Sequence, residues 1–232
     1  MKRPWFQLLI AAMLGIGLAG PATAGCKDHP GPEIDWSGCD KTKLLLTGDD
    51  FHGANLTNVD FSFSDLSGAD LSGANLTGAL LTRARFVEAN LQGADLSKAM
   101  FDRADLSQAN LSAAKAQKAE LHRANLTNAN LSGADLGKAE LGRAKLTSAD
   151  LTGAVLQRAY LARADLRGAK LAGADLTEAE LYLADLRGAD LSTAKGLVAE
   201  QLEETCGDAT TKLRADMAPP ADWPCTRAEA EE

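Results

Sequence analysis

Five arginines, Arg83, Arg103, Arg123, Arg143 and Arg163, stand twenty residues apart. A second basic series, Lys98, Lys118, Lys138 and Arg158, keeps the same interval. A row of guanidiniums on one edge is chemistry for gripping anions, because each is always charged and presents its donors in a planar fork. Leu80, Met100 and Tyr160 fall beside the arginines in the same twenty-residue rhythm, and Tyr182 falls in the neighbouring column with Asp102 and His122. Arginine, methionine and tyrosine together are the composition of an interaction surface. The plainer reading is a solvated edge whose arginines pair with Glu120, Glu140 and Glu180.

The other reactive side chains do not converge on a reaction. The three histidines, His29, His52 and His122, are far apart in the chain, and no Ser, His and acid come together in a nucleophilic arrangement. Asp and Asn recur every fifth residue, and such uniformity argues for service to the backbone rather than for catalysis. The reading is therefore a non-enzyme with no cofactor and no metal. The four cysteines, Cys26, Cys39, Cys206 and Cys225, bracket the regular part of the chain in two pairs. In an exported chain an even count reads as disulfides, and proximity favours Cys26 with Cys39 and Cys206 with Cys225. Zinc is the alternative, but neither pair has the C-x₂-C spacing of a structural site.

The elements that must position these residues follow from a period of five. Ala54-Asn55-Leu56-Thr57-Asn58, Ala69-Asp70-Leu71-Ser72-Gly73 and Ala189-Asp190-Leu191-Ser192-Thr193 are three of the pentads that run without insertion over 44–193. Each holds a small residue, an Asp or Asn, a large apolar residue and two outward residues. The large position is Leu or Phe from Leu46 to Leu191 except at Ala116, and the small position is Ala from Ala69 to Ala189. Helices repeat at three and four and strands at two, so neither explains five. A chain that turns a corner once per pentad does: small and large positions face an axis, and the rest face water. Such units cannot bury their apolar face alone and must stack.

These pentads resemble the pentapeptide-repeat family, whose Ala-(Asp/Asn)-Leu-X-X pattern residues 54–193 follow closely. The resemblance implies an all-β fold, a right-handed quadrilateral β-helix with four pentads per coil. The twenty-residue spacing of the two basic series is an independent sign of the same coil, since a period of five alone does not demand it. Some cytoplasmic members of the family mimic DNA and bind gyrase. That role needs a strongly acidic surface, which the arginine series contradicts although the net charge is −8.

The ends are read separately. Residues 1–24 have a secretory leader's pattern: Lys2 and Arg3, an apolar run from Leu8 to Leu18, and Ala22-Thr23-Ala24 before the cut. An uncleaved membrane anchor is one rival. A lipoprotein carrying its lipid on Cys26 is another, with Thr23 standing where Leu is usual. Residues 25–43 read as an entry loop and cap, in which Trp36 lies in register as a lid and Lys41 falls on a large position that an apolar core should refuse. Ala116 reads as a tolerated defect between Leu96 and Leu136, or as a local opening. Residues 194–232 read as a short capping helix over Val198 to Glu204 followed by an irregular tail.

The expected protein is a periplasmic or secreted binding or scaffold rod. Its partner would be a protein or an anionic envelope polymer, with no nucleic acid, with membrane contact only if Cys26 is lipidated, and with homodimerisation open.

Overall fold

The computed structural model describes residues 25–225. The leader pattern at 1–24 lies outside the described residues. Parallel bridges link each Asp/Asn position to its equivalent twenty residues on, from Asp35–Asn55 through Asp175–Lys195. Four sides of one pentad each therefore close a coil, and eight such steps give a rod roughly 40 Å long at about 4.8 Å per coil. Each side contributes a single bridge residue rather than a continuous strand, so the pairing is that of a β-solenoid while the strands are minimal.

The backbone explains the pentad. The large residue's amide donates to the next coil, as Leu56 N to Asn75 O at 2.7 Å. The second outward residue does the same, Asn58 N to Thr77 O at 3.0 Å. The following small residue closes the corner, as Ala54 N to Phe51 O at 3.0 Å. The Asp/Asn residue donates backwards, as Asn75 N to Ala54 O at 2.9 Å. One amide in five is left, that of the first outward residue. The Asp/Asn side chain two residues earlier takes it: Ser72 N to Asp70 Oδ1 is 2.9 Å and Thr77 N to Asn75 Oδ1 is 3.0 Å. Where the capping position holds Asp or Asn, that closes the account of the pentad's backbone donors.

The corners are type II turns, with positive φ at every second outward residue from Glu33 to Gly188. Glycine accepts that conformation without cost, and one edge of the rod carries it at 53, 73, 93, 133, 153 and 173. The opposite edge carries the arginines Arg83 to Arg163, with φ between 55 and 60°.

The interior is a column of Ala, Leu and Phe with almost no exposure. Ala116 is buried like its neighbours, and its backbone bonds continue unbroken, Ala116 N to Asp135 O at 2.7 Å and Lys118 N to Gly137 O at 3.0 Å. The reading of this pentad as a local opening is corrected: the coil is regular there.

The repeat reaches beyond 44–193 at both ends. Trp36 is buried and packs on Phe51 and Phe61, with ring centroids 5.4 and 6.3 Å away. Lys41 is buried in register, which corrects the expectation that the core refuses it. Its ammonium lies 3.4 Å from the Trp36 ring centroid and its Nζ donates to Cys26 O at 2.7 Å. Cation–π attraction and a carbonyl acceptor replace the water it gives up. Cys26 is disulfide-bonded to Cys39, with Cα atoms 5.5 Å apart.

At the far end the helix is α1, Ala199–Leu202, shorter than the span read from the sequence. Leu197 and Leu202 are buried against the last coil. Gln201 Nε2 donates to the carbonyls of Leu176 and Ala179, both at 2.8 Å, and so takes the Ala179 acceptor that a further coil would have covered. The tail then rejoins the solenoid, which corrects its reading as irregular. Cys206 bridges Asp185 and Lys212 bridges Asp190, offsets of 21 and 22 residues where the coils use twenty. Cys206 is disulfide-bonded to Cys225, again with Cα atoms 5.5 Å apart, and Trp223 Nε1 donates to Thr205 O at 3.0 Å.

Candidate interaction face

One side of the rod lies between the two basic edges. The second outward residues on its one margin are Lys98, Lys118, Lys138 and Arg158, and on its other margin Arg83 to Arg163. Its Asp/Asn column departs from the rule that governs the rest of the solenoid. After Asp60 it holds Leu80, Met100, Glu120, Glu140, Tyr160 and Glu180. Leu80, Met100, Tyr160 and Tyr182 are all exposed, as is Phe63 at the head of the arginine edge.

Arg103, Arg123, Arg143, Arg163 and Tyr160 line one shallow groove of about 440 Å³. Its floor is the column Asp102, His122, Gly142 and Ala162, the first outward residues. Gly142 and Ala162 are buried. The Tyr160 ring lies over Gly142, where an added Cβ would come within 2.7 Å of Tyr160 Cε1 and 3.1 Å of His122 Nδ1. His122 Nε2 is 2.6 Å from Glu140 Oε2, and its ring meets Tyr160 edge to face at 6.4 Å. Arg83 stands apart from the groove, with its guanidinium 5.7 Å from the Phe63 ring centroid. Leu80, Met100 and Tyr182 flank the groove without lining it.

The arginine edge is neutralised unevenly. Arg103 has Asp102 at 3.8 Å. Among the described residues no carboxylate lies within ion-pair distance of Arg83, Arg123 or Arg163. On the opposite margin Arg158 is paired with Glu178, at Nε to Oε2 2.5 Å. Pairing between arginines and the glutamates of neighbouring coils, the plainer reading of this edge, does not describe Arg123 or Arg163.

Hydrogen-bond accounting adds what residue types alone do not reveal. Where the column holds Asp60, its carboxylate takes the Ser62 amide at 2.9 Å. With Leu, Met, Glu or Tyr in its place no such cap forms. Among the described residues the amides of Thr82, Asp102, His122, Gly142, Ala162 and Tyr182 have no protein acceptor, in six successive coils of this side. Elsewhere caps are missing only singly, at residues such as Lys115 and Val155, with capped pentads in the coils on either side. The signal was present in the sequence as a run of non-Asp/Asn residues, but its meaning depends on knowing which amide that position serves.

The remaining candidates are dispersed. His52 bonds the Ser72 hydroxyl at 2.9 Å on another side, and His29 sits in the entry loop. Among the described residues no group of three His, Cys, Asp or Glu could hold a metal ion, and no helix is long and apolar enough to cross a membrane.

The family model described as pentapeptide repeats matches in eight copies, over residues 45–73, 69–108, 104–142, 139–177 and 159–195. Among solved structures the chain is similar to HetL, a pentapeptide repeat protein involved in heterocyst differentiation regulation from the cyanobacterium Nostoc sp. strain PCC 7120. The two share 33% identity over 75% of this chain and 87% of that one, with a TM-score of 0.64. A trypsin-treated form of QnrB1, a plasmid-mediated fluoroquinolone resistance protein, aligns at 22% identity over 70% of this chain and 91% of its own, with a TM-score of 0.58. This second likeness concerns the fold alone, and both place the coil among right-handed β-helices. No curated protein sequence matches the chain.

Proposed function

Since the chain belongs to the pentapeptide-repeat family, we propose that it is an exported, non-enzymatic binding or scaffold rod that takes an anionic partner of the cell envelope on its arginine edge. The observation that carries this reading is the groove of Arg103, Arg123, Arg143 and Arg163 beside the exposed Tyr160. Exposed apolar side chains next to guanidiniums that, at Arg123 and Arg163, face no carboxylate within ion-pair distance among the described residues are costly on a surface that serves only solubility.

Export is supported by the leader pattern at 1–24 and by the four cysteines, which are paired at the two ends. Disulfides persist in oxidising compartments. A disulfide at Cys26 occupies the sulfur that a lipid would need, which favours the free rod over the lipid-anchored form. A gyrase-binding DNA mimic is disfavoured because the groove is lined with cations. The intact mass of the exported protein separates the forms: cleavage after Ala24 with two disulfides supports this reading, and a lipidated Cys26 or an intact leader opposes it.

Binding is tested by co-sedimentation with an envelope fraction. The Arg103→Ser, Arg123→Ser, Arg143→Ser variant should lose binding, and binding of the parent should weaken with added salt, which screens exposed charges over about 8 Å at physiological strength. The control changes the same turn position on the next edge, Glu88, Gln108 and Asn128 to Ser. Equal binding by both variants refutes the reading. Substituting Asn90, Asn110 and Asn130 would be a poorer control, because these side chains bond one another along the rod at 3.1 and 3.2 Å.

A further inference from the structure

The arginine corner continues past Arg163 toward the C-terminal end and there changes sign. Cys206 bridges Asp185 and Asp185 bridges Asp165, so the residues two places earlier, Glu204, Leu183 and Arg163, follow one another along one corner. All three have the positive φ of that turn position, 60, 57 and 60°. From the end of the rod downward the corner thus carries an acid, an apolar residue and then the arginines Arg163 to Arg83. Among the described residues Glu204 has no cation within ion-pair distance, and Arg163 and Arg123 have no carboxylate.

The chain itself supplies a complementary segment. Residues 226–232, Thr-Arg-Ala-Glu-Ala-Glu-Glu, lie outside the described residues. They follow directly on Cys225, which its disulfide holds at Cys206 with Cα atoms 5.5 Å apart. Their charges come in the order that opposes the corner: Arg227 first, then Glu229, Glu231 and Glu232. We propose that this segment lies back along the corner as its resident ligand, with Arg227 at Glu204 and the glutamates at Arg163 and Arg123, and that an anionic partner must displace it. The docking stands on the corner and the segment alone, while the role as competitor rests on the reading of this edge as a binding surface.

Reach and register agree. Arg163 lies two coils below Cys206 and two residues to one side, so their Cα atoms are about 12 Å apart, and Arg123 is about 20 Å away by the same spacings. Seven extended residues span about 23 Å. In an extended segment alternate residues share a face, which puts Arg227, Glu229 and Glu231 on one side and Ala228 and Ala230 on the other. With Arg227 level with Glu204, Glu231 and Glu232 come about 13 and 17 Å down the corner, within side-chain reach of Arg123 at about 19 Å. Exposed ion pairs are individually weak. Attachment at Cys206 makes these intramolecular, so they act at a high effective concentration that a second copy or a free acidic peptide lacks.

Two measurements on the full disulfide-bonded chain test the proposal. Arg163→Lys and Arg123→Lys each keep the charge and add an amine that a carbodiimide joins to a touching carboxylate. Peptide mapping should join the amine at position 163 to Glu229 and that at position 123 to Glu231 or Glu232. The products should have monomer mass at every protein concentration and vanish in about 1 M salt, which screens exposed charges beyond about 3 Å. Equal coupling of the tail to Lys118 and Lys138 on the opposite margin, or no tail coupling, overturns the docking. Coupling found only in covalent dimers assigns the segment to a second copy and overturns it too.

The second measurement is calorimetric titration with poly-L-glutamate, an anion of the segment's own chemistry. The Glu229→Gln, Glu231→Gln, Glu232→Gln variant should bind it about threefold to tenfold more tightly than the parent, the range that three exposed ion pairs supply. The Glu33→Gln, Glu88→Gln, Glu200→Gln variant removes the same charge elsewhere and should gain less than about twofold, because distant exposed charges are screened. Equal gains overturn the competitor. Tail cross-links together with unchanged polyglutamate and envelope binding in the Arg103→Ser, Arg123→Ser, Arg143→Ser variant overturn the edge as a partner site and leave the docking. Absent cross-links with binding lost in that variant overturn the docking and leave the edge.

Discussion

Lys41 Nζ sits 3.4 Å from the centroid of the Trp36 ring, at a position where every later coil of that column places Leu or Phe. Burial pushes its amine below the ordinary lysine range, and nearby Asp28 works against that shift. The residue joins the lid to the chain that precedes it, because the same ammonium donates to Cys26 O. Lys41→Ala should lower stability by about 2 kcal/mol, combining a desolvated cation–π contact and a charge-assisted hydrogen bond. Hydrogen exchange should speed up from Gly25 to Cys39 and stay unchanged beyond the second coil, since a solenoid couples mainly to its neighbours. An unchanged exchange pattern in the first coil would show that Lys41 is merely tolerated.

Ala116 interrupts a column that otherwise runs Leu56, Leu76, Leu96, Leu136, Leu156 and Leu176. Its backbone is regular, so the missing side chain is the whole of the difference. Ala116→Leu should raise stability by a part of the 2.7–5.0 kcal/mol that the reverse change costs, about 1–2 kcal/mol after repacking. Urea denaturation measures it. A lower midpoint would mean that neighbouring side chains already fill the space.

Acid should loosen the rod through its turn caps. The Asp70 carboxyl is held below the usual range by the Ser72 hydroxyl first, then by the Ser72 amide and Asn90, against a contribution from burial. Asp175 is lowered by the Thr177 hydroxyl, Gln157 and the Thr177 amide. A carboxyl whose folded pKa is depressed stabilises the fold fully above its unfolded value, about 3.9, and that contribution is lost as pH falls through the lower folded values. Melting temperature should therefore hold from pH 7 to about 5 and decline below about pH 4. Asp70→Asn with Asp175→Asn should stay within about 0.5 kcal/mol of the parent at pH 7, because Asn takes the same amide where it stands at this position, as Asn75 and Asn130 do at 3.0 Å. Below pH 4 the variant should decline less steeply than the parent. Parallel curves would exclude the caps as the acid-sensitive element.

The architecture was legible because one residue in five carries the same duty in every coil. Leu or Phe fills the axis, Ala makes room, and Asp or Asn serves an amide that nothing else serves. Trp36 was legible as a lid because it keeps the register, and the cysteine pairs because they are near in sequence. Lys41 was misread because its tolerance comes from Trp36 and from a carbonyl fifteen residues away, neither of which a periodic pattern encodes. The tail was misread because the insertions before Cys206 and Lys212 hide the register that the bridges recover. On the interaction face, Arg83 to Arg163 and Tyr160 were visible by type. The uncapped amides beneath them were not, since an absent hydrogen bond can be read only after the others have been assigned.

The hydrogen bonds between coils, such as Leu96 N to Lys115 O at 2.6 Å, join one layer to the next along the length of the rod. A pull applied to the two ends therefore loads the layers one at a time, as in unzipping, and not all together, as in shearing. The end loops are spared, because Cys26–Cys39 and Cys206–Cys225 carry the tension past them to residues 39 and 206. The molecule is thus built to yield layer by layer under tension and to close again on intact ends. That mechanical character suits the proposed use of the long side, rather than the tips, as the binding surface.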